Sequence, residues 1–141
     1  LAAERGAPLC LMHMLGTPRT MQKDPTYAEV VADIREWLVE RVEAACAAGV
    51  PREHVLVDPG FGFGKTPGHN LEILRRLHEF ADIGCPVLVV IGDRDFTFPA
   101  DELADAFPNG RCEVLRGVDH FATTEAFGFF DATLEFLDAV P

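Results

Sequence analysis

Short apolar runs alternate along this chain with helix-patterned stretches, and that alternation narrows its folds more than any other feature. Leu9 to Met12, Val55 to Val57, Pro86 to Ile91 and Cys112 to Leu115 read as strands. After the first run, apolar residues recur at helical spacing: Val30, Val31, Ile34, Trp37, Leu38, Val42 and Ala45. Thr26-Tyr27-Ala28-Glu29, with Pro25 before it, has capping-box spacing, and Gly49 suits the helix end. Beyond the second run, Leu71, Ile73, Leu74, Leu77 and Phe80 predict one helix stopped near Gly84. Pro99 opens a short helix with Leu103 and Phe107, and Pro108-Asn109-Gly110 is a turn. The last helix carries Phe127, Phe130, Leu134, Leu137 and Val140. Strands alternating with helices imply a parallel sheet with right-handed crossovers. Strands apolar on both faces fit a sheet covered by helices. The expected fold is therefore α/β, with four successive βα units and a parallel sheet. A chain of 141 residues suits one compact domain, 1–141.

Composition removes several classes of function. The formal net charge is −11 and no Lys/Arg-rich run occurs, which argues against nucleic acid and anionic membrane surfaces. No apolar run approaches the ~20 residues that span a bilayer. No signal peptide is evident, so the expected location is cytoplasmic; the first residue is Leu1, which reads as part of something longer. Cys10, Cys46, Cys85 and Cys112 form no CxxC pair and are expected to be reduced, buried thiols. The five histidines show no ligand spacing, so no structural metal site is expected. The chain contains no serine, which excludes a serine nucleophile from its own residues.

Two stretches carry chemistry in the first part of the chain. One is Leu11-Met12-His13-Met14-Leu15-Gly16-Thr17-Pro18-Arg19-Thr20-Met21-Gln22. The other is Asp58-Pro59-Gly60-Phe61-Gly62-Phe63-Gly64-Lys65-Thr66, followed by His69-Asn70-Leu71. Asp58 stands at the C-terminal end of a strand, where ligands bind in parallel α/β folds. A carboxylate there can accept two adjacent N–H donors from a heterocycle's edge. Met12 offers a polarizable thioether to a flat ring. Gly62, between Phe61 and Phe63, lets the backbone approach such a ring closely. A P-loop would need glycine where Pro59 stands, and the dinucleotide fingerprint would need one at Lys65 or Pro67. Nucleotide binding is rejected on both counts.

Both stretches, with their separation, resemble the middle of dihydropteroate synthase over about residues 1–90, giving a first segment, 1–88. That family is a (β/α)₈ barrel in which a dihydropterin pyrophosphate condenses with p-aminobenzoate on the way to folate. The resemblance implies pterin and p-aminobenzoate as small-molecule partners, with Mg²⁺ assisting the pyrophosphate. It implies substrate-binding roles for Met12, Asp58, Gly62, Phe63 and Lys65. Asp58 and Met12 would hold the pterin, and Phe63 would shape the p-aminobenzoate side. Arg94 falls, by count, where the family has a pterin-contacting lysine, and the two are not interchangeable.

From Pro86 the sequence resembles the last two βα units of an α/β-hydrolase, giving a second segment, 89–141. Gly92-Asp93-Arg94-Asp95 is similar to an acid-bearing loop, and Gly117-Val118-Asp119-His120-Phe121 to a histidine loop. That resemblance implies catalytic remnants, Asp95 orienting His120 as a base. The whole then reads as part barrel-like and part hydrolase-like. Three functions follow as expectations: a pterin-binding synthase fragment without turnover alone, a hydrolase-derived module lacking its nucleophile, or a non-enzymatic folding chimera. Open sheet edges left by a partial barrel make a homo-oligomer a further expectation.

Overall fold

The computed structural model describes residues 1–85, 87–94, 110–119 and 127–139. The chain divides into two compact units, Leu1–Cys85 and Pro86–Pro141.

The first unit runs α1 (Ala2–Arg5), β1 (Leu9–Met12), α2 (Val30–Ala47), a 3₁₀ turn (Arg52–His54), β2 (Val55–Asp58), α3 (Pro67–Arg75) and a 3₁₀ helix (Leu77–Ile83). β1 and β2 pair in parallel, Leu9 with Val55 and Met12 with Asp58. Parallel neighbours need a long crossover, and α2 supplies it. The stripe Val30, Val31, Ile34, Leu38 and Val42 on α2 is buried with Val50, Val55, Ile73, Phe80 and Ile83. Each large apolar side chain so buried contributes about 1.5–3 kcal/mol. Leu9, Leu11 and Val57 pack on this core. Strand alternation therefore turns Cys10, Met12, Leu56 and Asp58 to the opposite face. That explains why Cys10 is exposed, contrary to expectation, while Cys46 is half-buried and Cys85 buried.

α2 begins one turn later than the capping-box spacing suggests. Its N-cap is Glu29, whose carboxylate accepts from the amides of Val31 (3.3 Å) and Ala32 (2.8 Å). Asp33 reaches back to accept from the amides of Ala28 and Glu29. Two carboxylates at the positive end of the helix dipole outcompete the Thr26 hydroxyl, which donates to the Asp24 carbonyl instead. Gly49 does end the helix, at φ 89°. The single helix expected after β2 is broken at Arg76, whose backbone leaves helical geometry at φ −114°. Its guanidinium pairs with Glu29, Glu72 and Glu79. Leu71, one of the apolar positions that predicted this helix, is exposed.

The second unit holds β3 (Val87–Gly92), β4 (Gly110–Leu115) and a further helix, α4 (Phe127–Ala139). β3 and β4 are also parallel, Val87 beside Gly110 and Gly92 beside Leu115. The described strands thus form a two-stranded parallel sheet in each unit, in keeping with the parallel α/β fold expected. α4 contacts both strands of its unit and buries Ala132 and Phe136. Phe130 and Leu134, placed on this helix from the sequence, are exposed. The helix expected from Pro99 lies outside the described residues. No described helix is long and apolar enough to cross a membrane.

Candidate functional site

β1 and β2 end side by side, and their last residues, Met12 and Asp58, are register partners. The ladder continues one step, because the His13 amide donates to the Asp58 carbonyl at 3.0 Å. Two of the residues singled out in the sequence are therefore brought together at the strand ends, on the face turned from the core. Asp58 Oδ1 accepts the Gly60 amide at 2.7 Å, an Asx-type turn that aims the loop. Among the described residues, no hydrogen bond is made to its other oxygen. Burial pushes the Asp58 carboxyl above its ordinary pKa, while the Gly60 amide and the Lys65 charge hold it back.

The loop of residues 59–66 crosses directly over the end of β1. Gly60 has φ 69°, and a Cβ there would lie 2.1 Å from the His13 carbonyl oxygen. Gly62 differs: a Cβ there would meet nothing within 4 Å. Its amide donates to Asn70 Oδ1 at 3.1 Å, and its carbonyl accepts from Gln22 Nε2. Phe61 packs on the core, whereas Phe63 is 40% exposed. The Phe-Gly-Phe segment thus anchors one ring and presents the other beside open space.

Lys65 lies inside the loop rather than on its surface. It is 3% exposed. Its ammonium donates to the Phe63 carbonyl (3.0 Å), His13 Nδ1 (3.1 Å) and the His13 carbonyl (3.3 Å). An ammonium has three donors, and all three are used within the protein. Burial lowers the Lys65 pKa to about 8, against the opposing pull of Asp58.

His13 was not singled out by sequence reasoning, though it follows the strand-ending Met12 directly. It is 5% exposed, edge-on to Trp37 at 5.2 Å and tilted against Tyr27 at 6.0 Å. Tyr27 in turn donates to the Gly64 carbonyl at 2.7 Å. Because Lys65 donates to Nδ1, the neutral imidazole carries its proton on Nε2. Burial, then the Lys65 charge, lowers the His13 pKa to about 4.

This depression has a consequence for stability. The unfolded imidazole takes its proton near the ordinary 6.5, the folded one only near 4. The stability His13 contributes is therefore complete above 6.5 and is lost as pH falls through about 4, by about 3 kcal/mol. Asp58 acts in the opposite direction, since its raised pKa makes protonation easier in the folded state. Urea unfolding from pH 7.5 to 4 should show stability falling in the wild type and a shallower fall in His13→Gln. Equal slopes would contradict the burial of a neutral imidazole.

In the second unit, the two loops quoted from the sequence meet. The Asp93 amide donates to the Leu115 carbonyl (2.8 Å), and the Arg94 amide to the Val118 carbonyl (3.1 Å). Asp93 Oδ1 accepts the Gly117 amide at 2.6 Å. Asp93 thus has a structural role in this loop pair. Asp95 and His120 lie outside the described residues. Among the described residues, no group of three His, Cys, Asp or Glu side chains converges to hold a metal. They offer no ready-made seat for the Mg²⁺ that the family resemblance implies, and no step is derived through it.

A parallel α/β chain with a carboxylate, a thioether and an open glycine loop at adjoining strand ends has the design of a barrel enzyme's ligand face. More particularly, the chain belongs to the pterin binding enzyme family, whose sequence model matches residues 1–126. That match continues well beyond residue 88 and takes in the Asp95 and His120 positions. It is the finding that corrects the reading of the later segment as hydrolase-derived. The dihydropteroate synthase of Escherichia coli K12 is 37% identical over 145 aligned residues, covering 94% of this chain and 51% of that protein. The crystal structure of Yersinia pestis dihydropteroate synthase with a sulfonamide drug is similar at a TM-score of 0.65 and 29% identity, covering 99% of this chain and 52% of the other. Xanthomonas albilineans dihydropteroate synthase in complex with 7,8-dihydropteroate gives a TM-score of 0.58 at 30% identity, over 99% and 54%. The chain thus spans about half the length of these relatives.

Proposed function

We propose that this chain is the pterin-recognising part of a dihydropteroate synthase, of folate biosynthesis and of the cytoplasm. The observation that carries the reading is the pairing of Met12 with Asp58 at the strand ends. Asp58 accepts the adjacent N–H donors of the pterin edge, using the oxygen not engaged by Gly60. Met12 covers the ring face. Gly62 leaves room for the ring, and Phe63 lines the p-aminobenzoate side. Lys65 contributes from beneath the loop, since its donors are satisfied internally.

In the complete reaction, the amine nitrogen of p-aminobenzoate bonds to the pterin methylene carbon. The carbon–oxygen bond to pyrophosphate breaks, and the amine gives up a proton. Holding three groups in line can contribute ~7–11 kcal/mol to such a displacement. This chain supplies one wall of that arrangement. It is expected to bind pterin weakly and to give no condensation alone. Nothing among the described residues favours a hydrolase-derived module or a folding chimera over this reading.

The test is a calorimetric titration with a hydroxymethylpterin, beside an assay for product with p-aminobenzoate. Asp58→Ala removes a charged acceptor worth roughly 1.5–3 kcal/mol per bond. Affinity in that variant should fall at least about tenfold. Equal binding by wild type and variant would remove Asp58 from the site. Turnover by the purified chain would show that it holds more of the catalytic arrangement than one wall. Light scattering tests the homo-oligomer, and a clean monomer at high concentration would remove it.

A further inference from the structure

We infer that Lys65 is a positioning residue for the pterin site, tying the end of β1 to the loop after β2 and setting its charge against Asp58. Its functional meaning rests on the pterin reading, while its geometry does not.

The loop after β2 must pass within bonding distance of β1, because Gly60 already lies against the His13 carbonyl. Lys65 closes the same loop from inside. One ammonium satisfies the Phe63 carbonyl on the loop side and two acceptors of His13 on the strand side. Holding the Phe63 carbonyl inward leaves the Phe63 ring outward. A neutral donor could make such bonds without the cost of burying a charge. The charge has a use only through a neighbouring anion, and Asp58 is the one with which Lys65 interacts. A protonated Asp58 would present a donor to the pterin's donor edge. A fixed cation beneath the loop opposes that protonation.

The other titratable groups around this cluster are Cys10, on the same face of β1 as Asp58, and His13 itself. Tyr27 packs tilted against His13, and His69 meets Tyr27 edge-on. Asp33 of α2 acts on Tyr27. Lys65 is the cation among them that bears on Asp58.

Lys65→Met keeps an apolar stem and removes the charge and its three bonds. Carbon-13 NMR of the Asp58 side-chain carboxyl, in the full chain without ligand, should show its titration midpoint rise by about 1 pH unit. The His13 midpoint should move up towards the ordinary value, since the repelling cation is gone. A purely mechanical role for Lys65 would leave both midpoints in place, and unchanged midpoints would overturn the inference. The wild type offers a second test that needs no folded variant. The chain has two lysines, Lys23 and Lys65, and Lys23 is exposed. An amine-acylating reagent should modify Lys23 and spare Lys65; equal modification would overturn the inference. Neither readout uses pterin. A wild type that binds no pterin while showing both results would overturn the function proposed above and leave this arrangement standing.

Discussion

Gly60→Ala should destabilise the Leu1–Cys85 unit by about 2–5 kcal/mol. Two costs combine. A left-handed backbone costs an L-residue about 1–2 kcal/mol, and overpacking a filled site costs about 1–3 kcal/mol. The second applies because the new Cβ would stand 2.1 Å from the His13 carbonyl, a backbone atom that cannot rotate away. Moving it would break the parallel ladder just where Met12 and Asp58 adjoin. Gly62→Ala is the control, with a similar positive φ of 79° and open space around the added methyl. It should cost only the backbone part. Urea unfolding of both variants separates the two costs. Equal destabilisation would show that the loop does not lie against β1 as described.

Leu38→Ala should cost about 2–5 kcal/mol. Leu38 is fully buried in the middle of α2, one turn from Ile34, which is also fully buried. Both belong to the core formed with Ile73, Phe80 and Ile83. Removing its three outer carbons leaves a cavity that helix and strands can refill only by shifting against each other. Val39, the next residue, is 37% exposed, and Val39→Ala should stay within roughly 0.5 kcal/mol. Thermal unfolding compares the pair. A small effect at Leu38 would mean that α2 is not the element holding this unit together.

The elements that sequence reasoning placed well are those whose signal is local. Leu9–Met12 and the run ending at Asp58 are short apolar segments closed by breakers, and both are strands. The α2 stripe follows helical spacing, and its buried positions, Val30, Val31, Ile34, Leu38 and Val42, are all among those predicted. The errors came where tertiary contacts decide. Thr26 has the right spacing for a cap, yet Glu29 and Asp33 supply two carboxylates to the same helix end. Leu71, Phe130 and Leu134 fit a helical pattern but face solvent, because periodicity does not say which side of a helix meets its neighbour. In the site, the places of Met12 and Asp58 at strand ends were legible. The contact between Lys65 and His13 was not, because two residues 52 apart in sequence meet only through the strand pairing. The motifs that carry the family resemblance lie between Leu11 and Leu71, whereas the family match runs on to residue 126, where no such motif marks it.

The proposed recognition of pterin where β1 and β2 end is tested most directly by a ¹H–¹⁵N NMR titration of the full chain with a hydroxymethylpterin. The largest shifts should fall on the amides of Met12, His13 and Asp58 and on Gly60, Gly62 and Gly64, and should disappear in Asp58→Ala. No shift at any concentration, or shifts confined to residues away from these strand ends, would contradict the account.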